Sequence, residues 1–325
     1  MTSIDFPDLV AQAIASPSVH NVQPARWQID GDCLWLIEDT SRRLKVGDPQ
    51  ANDAKISLGA AAEGLAIAAS AVGLKTSIEQ VDEASHTLFR RIARLSFDRG
   101  GMPDPLYPAL SQRASWRTGF AAPSAEDRDA ATRLGASDCT IASDPSDIDW
   151  LACKTDKASF GFMANTGFRK ELRGWMRLKR SHPSWQRDGL NADAMQISSF
   201  EAGAAGAVLG PLFGILSAFG LARMLLSETK SFQHASGVML FHRPTEEDPF
   251  VSGRHFHRAW LELEAAGFGA NVLAALADDP KTAGEVATRF GIGSDRKLVS
   301  AFRFGRRNGP RFAPARLPIE EVLLR

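Results

Sequence analysis

The sequence predicts an α+β fold in which one chain of 325 residues carries two related halves, residues 1–105 and 106–325. Three observations lead there. Helical and strand periodicities follow one another through the first half. A glycine-ended helix and a later strand recur in the same order about 190 residues further on. Between the halves, Met102-Pro103-Asp104-Pro105 reads as a linker.

The first half reads helix, loop, hairpin, long helix, strands. Phe6, Leu9, Val10, Ala13 and Ile14 follow helical spacing and form one apolar stripe. Pro17 cannot continue that helix, and it opens the segment Pro17-Ser18-Val19-His20-Asn21-Val22-Gln23-Pro24. This segment is rigid and dense in hydrogen-bonding side chains, a suitable edge for a planar, polar-rimmed ligand. Trp27, Ile29, Leu34 and Leu36 flank Asp30-Gly31-Asp32, a tight-turn signal. From Ala54 to Val72 a helix rich in small residues runs to Gly73, suited to close helix-on-helix packing. Residues 75–78 and 87–97 read as strands, the second placing Phe89, Arg91, Ala93, Leu95 and Phe97 on one face. In the second half, the helix over Gly253–Ala266 ends in Ala266-Gly267-Phe268, which echoes Val72-Gly73-Leu74. The strand over Leu298–Phe304 echoes residues 88–97.

Composition excludes several classes. Basic and acidic side chains balance at 38 each, so no global field pulls towards nucleic acid. Cys33, Cys139 and Cys153 lack Cys-x-x-Cys spacing and fit buried thiols in a reducing cytoplasm better than disulfides or a zinc site. The N-terminus has no basic n-region, and no signal peptide is expected. Ala202 to Ala222 carries no charge, long enough to span a bilayer. Its five glycines and central Pro211 instead favour a helical hairpin bent near that proline. A mobile flap over a pocket is the other soluble reading of this insertion, which covers about 200–226. A span would also put the two repeated halves on opposite sides of a membrane.

The Pro17–Pro24 segment resembles the Pro-Ser-x-x-Asn-x-Gln-Pro loop of nitroreductase-like flavoproteins. With His20 before Asn21 it looks like the tandem, Acg-type subgroup. The family usually has Trp directly after the second proline; here Ala25 stands there and Trp27 follows two places on. The resemblance implies FMN as cofactor, with Pro17, Ser18, His20 and Asn21 along the flavin ring. It also implies a nitroreductase-like fold, internally duplicated so that one chain mimics the usual dimer. The expected assembly is therefore a pseudo-dimeric monomer or a homodimer of it.

Two further segments resemble the phosphate contacts of that family. Arg113-Ala114-Ser115-Trp116-Arg117 is similar to an Arg-x-Ser-x-Arg segment, which implies Arg113, Ser115 and Arg117 at the phosphate. An arginine fork suits that dianion. Near the C-terminus, Arg316 matches the arginine of a Lys-x-Arg-x-Pro ending, while Pro314 stands at the lysine position. Arg303, a charge amid alternating apolar residues, is expected to compensate.

Competing motifs are weak. Gly267-Phe268-Gly269 and Gly291-Ile292-Gly293 lack a third glycine, and His255 and His257 lie two apart on a helix, a poor spacing for a metal. The resulting expectation is an FMN-dependent oxidoreductase passing hydride from NAD(P)H to an electron-poor small molecule. No residue is assigned as catalytic; His20, a donor at the ring edge, comes nearest. A flavin-sequestering protein without turnover, lidded by residues 200–226, is the alternative. A membrane-associated protein using the same stretch is the third class.

Overall fold

Asp5 starts the first helix. In the computed structural model its carboxylate accepts the Asp8 N–H at 3.1 Å. Helix α1 (Phe6–Ala13) then buries Phe6, Leu9, Val10 and Ala13, the expected stripe. The structure describes residues 4–81, 87–312 and 314–324. Asp30 pairs with Cys33 across the two-residue turn joining β1 (Ala25–Asp30) and β2 (Cys33–Asp39). Gly31 supplies the positive φ of 58° that this turn requires. Helix α2 (Asn52–Ala71) follows and ends before Gly73, whose φ is 75°. Strands β3 (Leu74–Gln80) and β4 (Phe89–Arg99) complete the unit.

One sequence expectation fails inside β4. Ala93 and Leu95 point into the core, but Phe89 does not, and Ile92 is buried in its place. Between Leu36 and Ile37 the β2–β4 register shifts by one residue. Such a bulge flips every side chain before it to the other face. Arg91 is thereby freed from the apolar side and lies over the Trp35 ring at 4.4 Å.

The second unit is longer. It runs α3 (Tyr107–Leu110), α4 (Ala125–Thr132), β5 (Cys139–Ala142), α5 (Pro145–Ala164), α6 (Thr166–Trp175), β6 (Met176–Arg177) and β7 (Leu190–Asn191). Three short helices come next: α7 (Ser199–Val208), α8 (Phe213–Ala218) and α9 (Leu221–Leu225). Then follow β8 (Gly237–Pro244), α10 (Pro249–Ala265), β9 (Gly269–Val272), α11 (Ala275–Asp278), α12 (Pro280–Phe290) and β10 (Arg296–Gly305). The chain closes with α13 (Ile319–Val322) and β11 (Leu323–Leu324).

Two sheets share a strand order. One sheet has the order β11-β1-β2-β4-β3 and the other β5-β8-β10-β9. In each, a long helix follows the second strand that the chain contributes to the sheet, α2 after β2 and α10 after β8. These two helices cross at the centre of the molecule. A Cβ on Gly59 would fall well inside contact distance of the Phe250 carbonyl oxygen. A Cβ on Gly253, three residues beyond Phe250, would do the same against Ile56, three residues before Gly59. The contact is reciprocal, as across a two-fold axis.

The unit boundary is not a clean cut in space. Past β10 the chain returns to the first sheet, where β11 pairs with β1 in parallel. Leu317 and Val322 join Phe6, Leu9 and Trp27 in one core. The Met102–Pro105 crossing is docked as well, because Arg258 donates to both Asp104 and Glu63 at 2.8 and 2.9 Å. Among the described residues no helix is long and apolar enough to cross a membrane. Instead of one bent hairpin, the uncharged stretch forms α7, α8 and α9, broken at Pro211 and at Gly220 with φ 70°. Cys33 and Cys139 are buried as expected, whereas Cys153 is exposed on the outer side of α5.

Candidate functional site

A cavity of about 270 Å³ opens between the two units. The 17–21 loop and the start of α2 form one wall; α10 and the ends of β9 and β10 form another. Residues 113–117 and 189–194, with Phe312, Pro314 and Arg316, close the remaining sides. Eight of the nine residues expected from sequence line it: Pro17, Ser18, His20, Asn21, Arg113, Ser115, Arg117 and Arg316.

The loop is strained and strongly held. His20, Asn21 and Gln23 have φ values of 46°, 56° and 53°, each costing about 1 kcal/mol or more for a residue with a Cβ. Ser18 Oγ accepts the Gln23 N–H at 2.9 Å. Asn21 Nδ2 donates to the carbonyls of Gly189 and Ala315 at 3.1 and 2.9 Å. Gln23 donates to the Arg187 carbonyl at 2.8 Å and accepts the Leu317 N–H at 2.9 Å. These long-range bonds fix the conformation that the local sequence alone disfavours.

His20 is neutral at physiological pH. Burial, aided by the nearby Arg117 charge, lowers its pKa to about 4. Behind the cavity, His257 is fully buried with Nδ1 2.7 Å from the Ala60 carbonyl. Burial and the Arg113 charge lower its pKa to about 3. On unfolding both rings return towards 6.5. The unfolded chain then binds more protons, so these histidines cost stability as pH falls below that value. The urea midpoint of the wild type is expected to drop more between about pH 7 and pH 5 than that of His257→Gln. Equal drops would mean that His257 does not titrate differently on folding.

Three guanidinium groups face the cavity. Arg113 donates to the Ala15 carbonyl at 2.6 Å and lies 4.4 Å over the Trp260 ring. Arg316 donates to the Ile14 carbonyl at 2.6 Å and to Asn21 Oδ1 at 2.8 Å. The Arg117 backbone N–H is held by Gln196 Oε1 at 2.6 Å, but its guanidinium has no hydrogen-bond partner among the described residues. None of the three makes an ion pair with a carboxylate among the described residues. Burial lowers the pKa of all three, to about 9 for Arg113 with help from Arg316, and to about 10 for Arg316. Each still carries its charge near neutral pH. Carbonyls can satisfy the N–H groups of a buried guanidinium, but three such charges around one cavity favour an anion within it.

Arg303 is the exception to the expected set. It is 1% exposed and does not line the cavity. Its two terminal nitrogens donate to the carbonyls of Arg117, Thr118 and Ser231 at 2.7, 2.9 and 2.7 Å. The charge that looked awkward on a strand is used on backbone carbonyls. It positions the Arg117 segment from behind.

Several lining residues were not legible beforehand. Trp260 Nε1, Ser300 Oγ and Arg113 Nε are buried without partners, and their side chains all line the cavity. Asp53, from the first turn of α2, also lines it. Burial, then Asp278 and Asp48, push its pKa well above the carboxylate range. Trp260 reads as a core residue in sequence, and nothing around Asp53 or Ser300 marks a site. Residues 189–194 wall the cavity, whereas 200–226 lines none of it. That insertion packs elsewhere, Phe213 against Phe160 and under Arg169, and Gly206 beside Leu178. Residues 200–226 therefore do not cover this cavity.

No family model and no curated protein matches the chain. Among solved structures, the chain is similar to the FMN-dependent nitroreductase NfnB of Mycobacterium smegmatis in complex with NADPH. Identity is 15% and the TM-score 0.34, over 62% of this chain and 86% of that one. A nitroreductase of Bacteroides fragilis with bound FMN matches at 13% identity and TM-score 0.33, over 64% and 92% of the two chains. A nitroreductase-like family protein of Bacillus cereus matches at 13% identity and TM-score 0.30, over 68% and 95%.

Proposed function

We propose that the cavity binds FMN and that the protein is a nitroreductase-type oxidoreductase acting on an electron-poor small molecule, with NAD(P)H as reductant. The observation that carries this is the set of three cavity-facing guanidinium groups without acid partners. FMN ends in a dianion, and Arg113, Arg117, Arg316 and the Ser115 hydroxyl would hold it. The orphaned Trp260 Nε1 and Ser300 Oγ fit a ligand with many polar atoms along its length. Pro17, Ser18, His20 and Asn21 would flank the ring. His20 is neutral and can donate a hydrogen bond there without adding charge. When bound, FMN supplies the exchange of hydride between nicotinamide and acceptor. The chain's own work is to orient the ring, anchor the phosphate and exclude water.

The same reading covers the architecture. The shared strand order and the reciprocal Gly59 and Gly253 contacts support an internal duplication in the tandem, Acg-type manner. One chain would then mimic a dimer, with the first copy near 1–105 and the second near 106–325. Free thiols at Cys33, Cys139 and Cys153 fit a cytoplasmic setting.

Titration of the purified protein with FMN tests the proposal. Quenching of flavin fluorescence to a one-to-one endpoint is expected, followed by bleaching of the yellow colour with NADPH or NADH. Protein that takes up no FMN overturns the cofactor assignment. Bound FMN that no nicotinamide bleaches overturns the enzymatic half and leaves a flavin carrier.

A further inference from the structure

The helices α7 to α9 are built the wrong way round for a self-contained fold. They bury Ala202, Val208, Phe213 and Ala222. Larger groups face water: Phe200 is 86% exposed, Phe219 75%, Met224 67% and Ile215 61%. Leu212, Leu221 and Leu225 are exposed beside them. Single exposed leucines are ordinary, but seven large apolar side chains exposed between residues 200 and 225 mark a contact surface.

The charges around it identify the partner. Helix α6 packs against the buried side of these helices and so flanks the face, with Arg169 over the buried Phe213 ring and Arg173 beside Gly210. Lys170, Arg173, Lys179, Arg223 and Lys230 are exposed and make no ion pair among the described residues. Residues 169–230 hold nine basic and five acidic side chains, a local excess of positive charge. Glu171 accepts the N–H groups of residues 45–47, Asp193 holds Arg180, and Glu201 caps α7. Asp156 accepts from Ser227 and from the Glu228 N–H.

The geometry points to a peripheral membrane-docking face: α7 to α9 insert their large apolar side chains into the interface of an anionic bilayer, and the basic rim meets its headgroups. A second copy of this chain is a poorer occupant, because a self-complementary contact would bring like-charged rims together. No helix need span the bilayer for this. The segment 189–194, which walls the cavity, lies four residues before α7, so docking would hold the cavity close to the membrane surface. The inference does not depend on what the cavity binds.

Sedimentation of the full chain with lipid vesicles tests it. Binding to vesicles containing phosphatidylglycerol is expected at low salt, with little binding to pure phosphatidylcholine and loss at high salt. Ile215→Ser with Phe219→Ser should weaken binding about tenfold or more, as should Lys170→Glu with Lys179→Glu. Both pairs are exposed, so the thermal melt should stay as in the wild type. Failure to sediment with anionic vesicles at low salt overturns the inference. So does wild-type binding by the Ile215 and Phe219 variant, or a solution dimer which that variant splits.

Discussion

Arg117→Ala is expected to weaken FMN binding by about 10- to 100-fold while raising, or at least preserving, the melting temperature of the ligand-free protein. The two signs have one cause. The Arg117 guanidinium is desolvated at the cavity and has neither a hydrogen-bond nor an ion-pair partner among the described residues. A charged hydrogen bond to a phosphate is worth about 1.5–3 kcal/mol, which sets the loss of affinity. Without a ligand, the same charge costs desolvation that the Coulombic attraction of Glu228 offsets only in part, so its removal relieves the folded state. Arg316 and Arg113 behave differently, because each also ties backbone carbonyls of residues 14 and 15 in place. Asn21→Ala should resemble them, lowering stability together with affinity, since its amide joins the loop to Gly189 and Ala315. Paired fluorescence titrations and melts separate the two patterns. An Arg117→Ala protein that keeps full affinity would remove Arg117 from the phosphate site.

Gly59→Ala is the second large effect, expected to destabilise the protein by about 3 kcal/mol or more. The added carbon meets backbone, the Phe250 carbonyl oxygen, and no rotamer change can clear it. Helices α2 and α10 must part. That movement also separates Asp53, Ile56 and Ser57 from Phe256 and Trp260, on opposite sides of the cavity, so FMN affinity should fall with stability. Gly253→Ala should act alike through Ile56. Gly284 in α12 is the control: nothing lies within reach of its Cβ, and alanine there should stabilise by about 0.5–1 kcal/mol. Chemical denaturation of the three variants measures the contrast. A mild effect at Gly59 would mean that the helices can slide.

What was legible in the sequence was mostly local. The Asp30-Gly31-Asp32 turn, the α1 stripe and the small-residue helix ended by Gly73 each follow from a short window of residues. The Pro17–Pro24 loop and the 113–117 segment were legible as candidates from dense polar chemistry, and the fold brings both to one cavity. Features set by distant partners were not. The bulge that turns Arg91 outward depends on how β2 pairs with β4. Arg303 is an isolated charge in sequence, and only the 117–118 carbonyls across the fold explain it. Ser300 and Asp53 gain their place from the cavity wall. Residues 200–226 were legible as unusual, but composition alone could not say that their large side chains point outward.

The crossing of α2 and α10 has one more consequence. A cavity walled by two separate polypeptides falls apart on dilution, and its occupancy follows protein concentration as well as ligand concentration. Here both walls belong to one chain, so each faces the other at an effective concentration set by the connecting segments. Ligand affinity should therefore be the same at nanomolar and micromolar protein.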